Sequence, residues 1–221
     1  MKSLKRLFAL AFCISILCLS ACSAKIDYTS YVSELRKELF TAENEQVSVM
    51  VYTGAKESPA ILDGVKNDTR LIIGIKAIFN QEPQSPVTAT ICFDDKEYEI
   101  PLNFHPVKRT LAGEIEVPVL PEKQVDIKLL YDQTEIFLTA KSRLFEDTVS
   151  YNEALESVTQ KAESFLKEHV KGGVLKCEII IRLLCEHDKN YYYVGLVCDE
   201  GLKRSYLVDG KTGEVVAEKI N

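Results

Sequence analysis

The cysteines and histidines of this 221-residue chain are the residues most able to do chemistry. Cys177 and Cys198 lie in two predicted strands, and a turn at 187–188 would place them opposite each other. Opposite residues in an antiparallel pair have Cβ atoms ~4.5–5.5 Å apart, which is close to disulfide range. The sequence leaves two interpretations open: a disulfide, or two buried thiols that pack as small apolar side chains.

The remaining residues of these types form no catalytic or metal-binding pattern. His105 precedes a proline, His169 ends a predicted helix and His187 lies in a predicted turn. Cys92 and Cys185 are expected to be core thiols. No Gly-x-Ser-x-Gly, His-Glu-x-x-His, Cys-x-x-Cys or phosphate-loop motif occurs. We therefore expect no catalytic residue, no metal site, no cofactor and no enzyme activity.

Cys22 has a different context, because it follows the longest apolar run of the chain. Basic residues precede the run from Leu7 to Leu17. The run is too short to span a bilayer at ~1.5 Å per residue, but it has the length of a secretory signal core. The residues LSAC that end at Cys22 resemble the lipobox of bacterial lipoproteins. The resemblance implies that a signal peptide of residues 1–21 is removed and that Cys22 receives the lipid.

The lipobox resemblance also implies a location and a first partner. Residues 22–27 would be a short lipidated tether on the extracytoplasmic face of the cell membrane, with membrane lipid as the partner of acylated Cys22. Removing residues 1–21 leaves 24 basic and 33 acidic residues, a formal charge of −9. This acidic balance excludes a nucleic-acid-binding function, which requires a basic surface.

Residues 28–145 are predicted to be short strands separated by turns. Alternating apolar residues and turn signals predict strands at Gln46–Thr53, Thr69–Phe79, Val87–Phe93, Glu97–Leu102, Gly113–Val119, Val125–Tyr131 and Glu135–Lys141. Residues 31–40 fit either a strand or a short leading helix, and the turn-like AENEQ that follows favours the strand. About seven short strands predict an immunoglobulin-like β-sandwich of two sheets. This region also resembles uncharacterised lipoproteins of Gram-positive anaerobes.

Residues 149–221 follow a different pattern, which predicts a helix packed on an antiparallel meander. Ser150 and Glu153 form a capping box, and apolar residues then follow a helical period until Gly172-Gly173. Residues 176–201 then predict a hairpin in which Cys177 faces Cys198. Two further strands complete the meander, so the whole chain is predicted to be mainly β with two domains.

The end of the chain resembles the PepSY domain. The similarity rests on the helix, the meander and the terminal stretch YLVDGKTGEVV, and it covers about one third of the chain. PepSY domains occur in propeptides of secreted metallopeptidases and in cell-envelope proteins. The resemblance therefore implies an α+β fold and an envelope protein, such as a peptidase, as the partner.

One face of the predicted hairpin has the composition of a binding surface. Arg182, Leu184, Tyr191 and Tyr193 would lie on the face opposite the apolar one. Tyrosine and arginine are enriched in interfaces because they bury a large area and keep a polar end. This face either binds a partner or packs against residues 28–145. We expect a membrane-anchored, non-catalytic binding protein; the alternative is a surface lipoprotein that captures a solute or glycan.

Overall fold

The computed structural model describes residues 26–61, 63–198, 201 and 203–220, and the fold is mainly β, as predicted. The predicted signal peptide and Cys22 lie outside the described residues. A short 3-10 helix, Tyr28–Tyr31, precedes the first strand. The first eight strands are β1 (Val32–Glu43), β2 (Val47–Glu57), β3 (Thr69–Phe79), β4 (Val87–Phe93), β5 (Lys96–His105), β6 (Thr110–Glu116), β7 (Gln124–Tyr131) and β8 (Thr134–Ser142). The ambiguous segment is therefore a strand.

These eight strands form one closed sheet. Their order is β1-β2-β3-β6-β5-β4-β7-β8, and β8 returns to β1 where Ser142 pairs with Phe40 and Lys141 with Thr41. The predicted immunoglobulin-like sandwich is not confirmed, because such a sandwich needs two separate sheets. Closure satisfies the backbone groups that an edge strand would leave unpaired.

Tight two-residue turns join three of the strand pairs. Residues 94–95, 132–133 and 187–188 all have positive φ, between 46° and 63°. This backbone conformation matches the type I′ turn, whose twist suits the strands on either side. Asp, Asn and His adopt positive φ more readily than most residues, which explains the aspartates in all three turns. The sequence predicted the turn at 187–188.

The predicted helix begins where its cap indicates, but it is bent. Helix α1 (Tyr151–Lys161) begins after Ser150, whose Oγ accepts from the Glu153 N–H at 3.3 Å. Helix α2 (Glu163–Glu168) follows a bend at Ala162, and backbone hydrogen bonds from Ala162 to Val158 and from Leu166 to Ala162 continue across it. The bend keeps the apolar stripe on the core.

The helix ends at Glu168, before the predicted stop at Gly172-Gly173. Strands β9 (Val170–Lys171) and β10 (Val174–Leu175) form a small hairpin instead. Its turn residues, 172–173, have φ of 61° and 81°, which glycine adopts at little cost. The two glycines therefore turn a hairpin rather than cap the helix.

The C-terminal meander continues the closed sheet. It contains β11 (Cys177–Glu186), β12 (Lys189–Cys198), β13 (Lys203–Asp209) and β14 (Val215–Ile220). Strand β11 lies parallel to the first half of β1, so the order β14-β13-β12-β11-β1 extends the sheet to twelve strands. Strand β1 is thus shared by the closed sheet and the meander.

Two hydrophobic cores lie on either side of this shared strand. Inward-facing residues of the closed sheet, including Phe40, Ile75 and Ile127, form one core. The second lies between the helices and the meander, with Leu166 and Ile181 fully buried in it. The second core also includes Leu39, Tyr52 and Ile72 from β1, β2 and β3, so the closed sheet and the meander share it. The division into residues 28–145 and 149–221 stays a prediction. No helix in the described part of the chain is long and apolar enough to cross a membrane.

Candidate functional site on the outer face of the meander

The register of β11 and β12 decides which side chains share a face. Cys177 pairs with Cys198, Arg182 with Tyr193 and Leu184 with Tyr191, as the sequence predicted. The odd-numbered residues of β11 lie against the helices. The predicted binding residues Arg182, Leu184, Tyr191 and Tyr193 therefore share the opposite side, which we call the outer face.

The outer face is only partly accessible. Leu184 is 40% exposed, and Tyr191 and Tyr193 are half-buried. On the same side Ile180 and Glu178 are buried, and Glu178 Oε1 accepts the N–H groups of Asp63 at 2.9 Å and Gly64 at 2.8 Å. Asp63 and Gly64 therefore cover this face at Glu178, while Leu184 lies on its more exposed part.

Arg182 is held in place by a two-point ion pair. Its Nε donates to Glu34 Oε1 and its Nη2 to Glu34 Oε2, both at 2.8 Å. Glu34 belongs to β1, and its side chain is only 9% exposed. Bidentate arginine–carboxylate bonds fix orientation as well as position. The guanidinium group is therefore oriented before any partner arrives.

A second arginine shares the same carboxylate. Arg36 Nε lies 2.6 Å from Glu34 Oε1, and its guanidinium carbon lies 3.9 Å from the centre of the Tyr52 ring. Burial acts to raise the pKa of Glu34, but the two arginines outweigh it and hold that pKa below its usual value. Glu34 is therefore a carboxylate at neutral pH.

Lys76 adds a third positive charge beside this pair. Burial lowers the pKa of Lys76, and nearby cations, including Arg36 and Arg182, lower it further. We call Glu34, Arg36, Tyr52, Lys76 and Arg182 the junction cluster, since its members come from β1, β2, β3 and β11. Three cations around one carboxylate make it locally positive on an acidic protein. It favours contact with a negatively charged group.

Two glycines make room for the rings of Tyr52, which is buried, and Tyr193. A Cβ on Gly74 would lie 2.0 Å from Tyr52 Cζ, and a Cβ on Gly195 would lie 3.0 Å from Tyr193 Oη. Each ring therefore lies over a glycine of its own sheet. The Tyr52 hydroxyl then donates to Glu114 Oε2 at 3.0 Å.

Cys92 and Cys185 differ from the prediction, and one of the two alternatives left open for Cys177 and Cys198 is present. Cys177 and Cys198 are joined by a disulfide. Cys92 and Cys185 are half-buried rather than core thiols; Cys92 follows Ile91 on the alternating strand β4 and so lies on its outward side. His169 lies close to the disulfide, a proximity that the sequence did not indicate.

The junction cluster was missed because its residues are far apart in the chain. Glu34 and Arg182 are separated by 148 positions, and only the parallel pairing of β1 with β11 brings them together. One signal was present: Arg182 interrupts an otherwise apolar run, and a charge in a buried strand requires a partner. The sequence did not identify that partner.

Comparison with protein-family models, curated proteins and solved structures gives no match for this chain.

Proposed function

We propose that this chain is a lipid-anchored, extracytoplasmic binding protein that engages an envelope protein, such as a peptidase, and performs no catalysis itself. The proposal treats the helices and meander as a PepSY-like unit and the outer face as its contact surface. The observation that supports it most is the partly exposed trio Leu184, Tyr191 and Tyr193 beside Arg182, which Glu34 already holds in position.

The composition of the outer face suits protein binding. A tyrosine side chain buries a large area at a low entropic cost, because it has only two torsions to fix. Arg182 is oriented by Glu34, so less rotamer entropy is lost when a partner binds. A partner with an acidic residue flanked by apolar side chains would complement the trio and the positive junction cluster.

The anchor supports the same function from the other end of the chain. A lipid on Cys22 with a tether ending at residue 27 would keep the protein close to the membrane surface. The folded part would then meet proteins that leave or span the membrane nearby. The lipobox, the PepSY resemblance and the resemblance of residues 28–145 to Gram-positive lipoproteins all agree with this location.

The test is capture of a partner from the native envelope by the full-length, membrane-anchored protein and by matched variants. We expect Tyr193→Ala and Leu184→Asp to reduce retention of the partner by about thirtyfold, the effect of losing a ~2 kcal/mol hot-spot residue. Phe137→Asp on β8, which is also an exposed apolar residue, is the matched control and should leave retention unchanged.

If Tyr193→Ala, Leu184→Asp and Phe137→Asp all retain the partner equally well, the outer face is not the contact surface. If no protein is retained by the wild type, the solute- or glycan-capturing function becomes the better explanation.

A further inference from the structure

A histidine and two cysteines converge at the end of the meander next to helix α2. A ring nitrogen of His169 and the sulfurs of Cys177 and Cys198 all lie within 4.8 Å of one another. The two sulfurs are brought together by the β11–β12 register. His169 follows the last residue of α2, and its carbonyl accepts the Lys176 N–H at 2.9 Å, so its backbone is tied to the chain that leads into β11.

The imidazole of His169 is fixed by a hydrogen bond to the main chain of α2. His169 Nδ1 lies 2.8 Å from the carbonyl oxygen of Phe165. A carbonyl oxygen only accepts, so the Nδ1 N–H donates in this bond. Histidines that bind metals usually donate their other N–H to a carbonyl or carboxylate in this way.

The surroundings of the two sulfurs favour a metal complex over free thiolates. Cys177 and Cys198 are 0% and 2% exposed and belong to the hydrophobic core under the helices. A bare thiolate is disfavoured in such a place, because burial penalises a charge. Two thiolates bound to a divalent cation form a neutral unit, which removes that penalty. His169 is half-exposed, so the site can be reached from the histidine side.

We propose that the thiol form of the protein binds one zinc ion through Cys177, Cys198 and His169. In a tetrahedral zinc site, sulfur ligands lie ~2.3 Å and nitrogen ligands ~2.0 Å from the metal, so the ligand atoms are roughly 3.5–3.8 Å apart. The three atoms here lie within 4.8 Å of one another, so they can reach this spacing once the S–S bond is absent. Three protein ligands leave a fourth position for water or another donor.

The metal-bound form and the disulfide form exclude each other. Both cysteines are thiols when the chain is synthesised, so binding requires no reductant. Two thiols bind Zn²⁺ and release two protons. Oxidation instead passes two electrons to an external disulfide, which becomes two thiols while Cys177 and Cys198 form their S–S bond. The site therefore holds zinc until such an oxidant acts, and it loses zinc afterwards.

The direct test is a titration with Co²⁺ as a coloured substitute for zinc. Protein made from the full-length chain is purified in detergent, reduced with a phosphine, freed of metal and titrated without oxygen. We expect one Co²⁺ per chain, with thiolate-to-cobalt charge-transfer absorption and the visible bands of a tetrahedral site. Zn²⁺ should displace the cobalt, and the oxidised protein should show none of these bands.

Variants separate this site from the other thiols and histidines. Cys177→Ser and Cys198→Ser should lose the charge-transfer band, and His169→Gln should weaken binding by more than about tenfold. Cys92→Ser, Cys185→Ser and His187→Gln, the last at a side chain that is 90% exposed, are the matched controls and should bind as the wild type does.

Two results would overturn the site: no stoichiometric cobalt band in the reduced, folded wild type, or unchanged affinity in His169→Gln. If the metal-free reduced protein unfolds, added Zn²⁺ must restore its circular dichroism spectrum, because a ligand that binds only the native state stabilises it. A failure to restore the fold would equally contradict the proposal.

Discussion

Arg182 in β11 donates to both carboxylate oxygens of Glu34 in β1, with Nε–Oε1 and Nη2–Oε2 distances of 2.8 Å. Strand β1 also closes the eight-stranded sheet, so this ion pair joins the closed sheet to the meander. It does so beside Arg36 and Lys76, whose charges Glu34 also offsets. Glu34 is thus the carboxylate that both arginines of the junction contact.

Replacing Glu34 should destabilise the fold far more than losing a surface ion pair. We expect Glu34→Gln to lower the free energy of unfolding by about 3 kcal/mol, since removing one partner of a buried pair leaves uncompensated charges. Urea unfolding measures the change. Glu135→Gln is the matched control: its carboxylate lies 3.7 Å from Lys128 in an exposed pair, and the loss should be below about 1 kcal/mol. Equal losses in the two variants would show that the junction cluster does not stabilise the fold.

The raised pKa of Glu178 should lower the free energy of unfolding as the pH rises. Burial raises the pKa of this carboxyl and the charge of Glu57 raises it further, against hydrogen bonds from the loop that lower it. With a folded pKa above the unfolded value of ~4.3, the folded state binds more protons between the two values. Stability from this group is therefore present below about pH 4.3 and is lost as the pH rises through the folded pKa.

The measurement is the difference in unfolding free energy between Glu178→Gln and the wild type at several pH values. The amide keeps an acceptor oxygen for the Gly64 N–H, but it does not titrate. We expect Glu178→Gln to become more stable relative to the wild type as the pH rises from 4 to 8. Glu82→Gln, at an exposed position, controls for the loss of one negative charge. A difference that stays constant over this range would refute the raised pKa.

The sequence predicted the local features of this fold well. The turn at 187–188, the capping box at Ser150 and the register of Cys177 with Cys198 all depend on residues close together in the chain or on strict alternation. Such features follow from backbone preferences and from a side-chain period of two.

The long-range features could not be predicted, for a physical reason. The β1–β8 closure and the parallel β1–β11 pairing depend on which edge strands meet in space, and alternation looks the same in either arrangement. Consequently the Glu34–Arg182 pair and the approach of His169 to the two cysteines had no signal in their spacing. The outer face was predicted as a set of residues, but its half-covered state was not.

The disulfide should contribute measurably to stability. Cys177 and Cys198 are 21 positions apart, and closing a loop of that size stabilises by about 3 kcal/mol in the chain-entropy account. In urea unfolding, the double variant Cys177→Ala, Cys198→Ala should have a free energy of unfolding about 3 kcal/mol below that of the metal-free, oxidised wild type. Cys92→Ala should lose much less. A double variant as stable as the wild type would contradict a disulfide in the native protein.

Cys22 should determine where the protein is found. We expect Cys22→Ala to abolish incorporation of labelled palmitate and to release the chain from the membrane fraction. Cys18→Ala, within the predicted signal peptide, is the matched control and should leave the protein acylated. Labelled lipid on the Cys22→Ala chain would contradict the lipobox assignment.

The most direct test of the proposed binding function is site-specific photo-crosslinking in cells that make the protein naturally. A photoreactive amino acid is placed at Leu184 or Tyr191 on the outer face, and at Phe137, which is 68% exposed on β8, as the control. The proposed function predicts one and the same envelope protein crosslinked from positions 184 and 191 and absent from position 137. A crosslinked protein from position 137 alone, or none from the two outer-face positions, would contradict it.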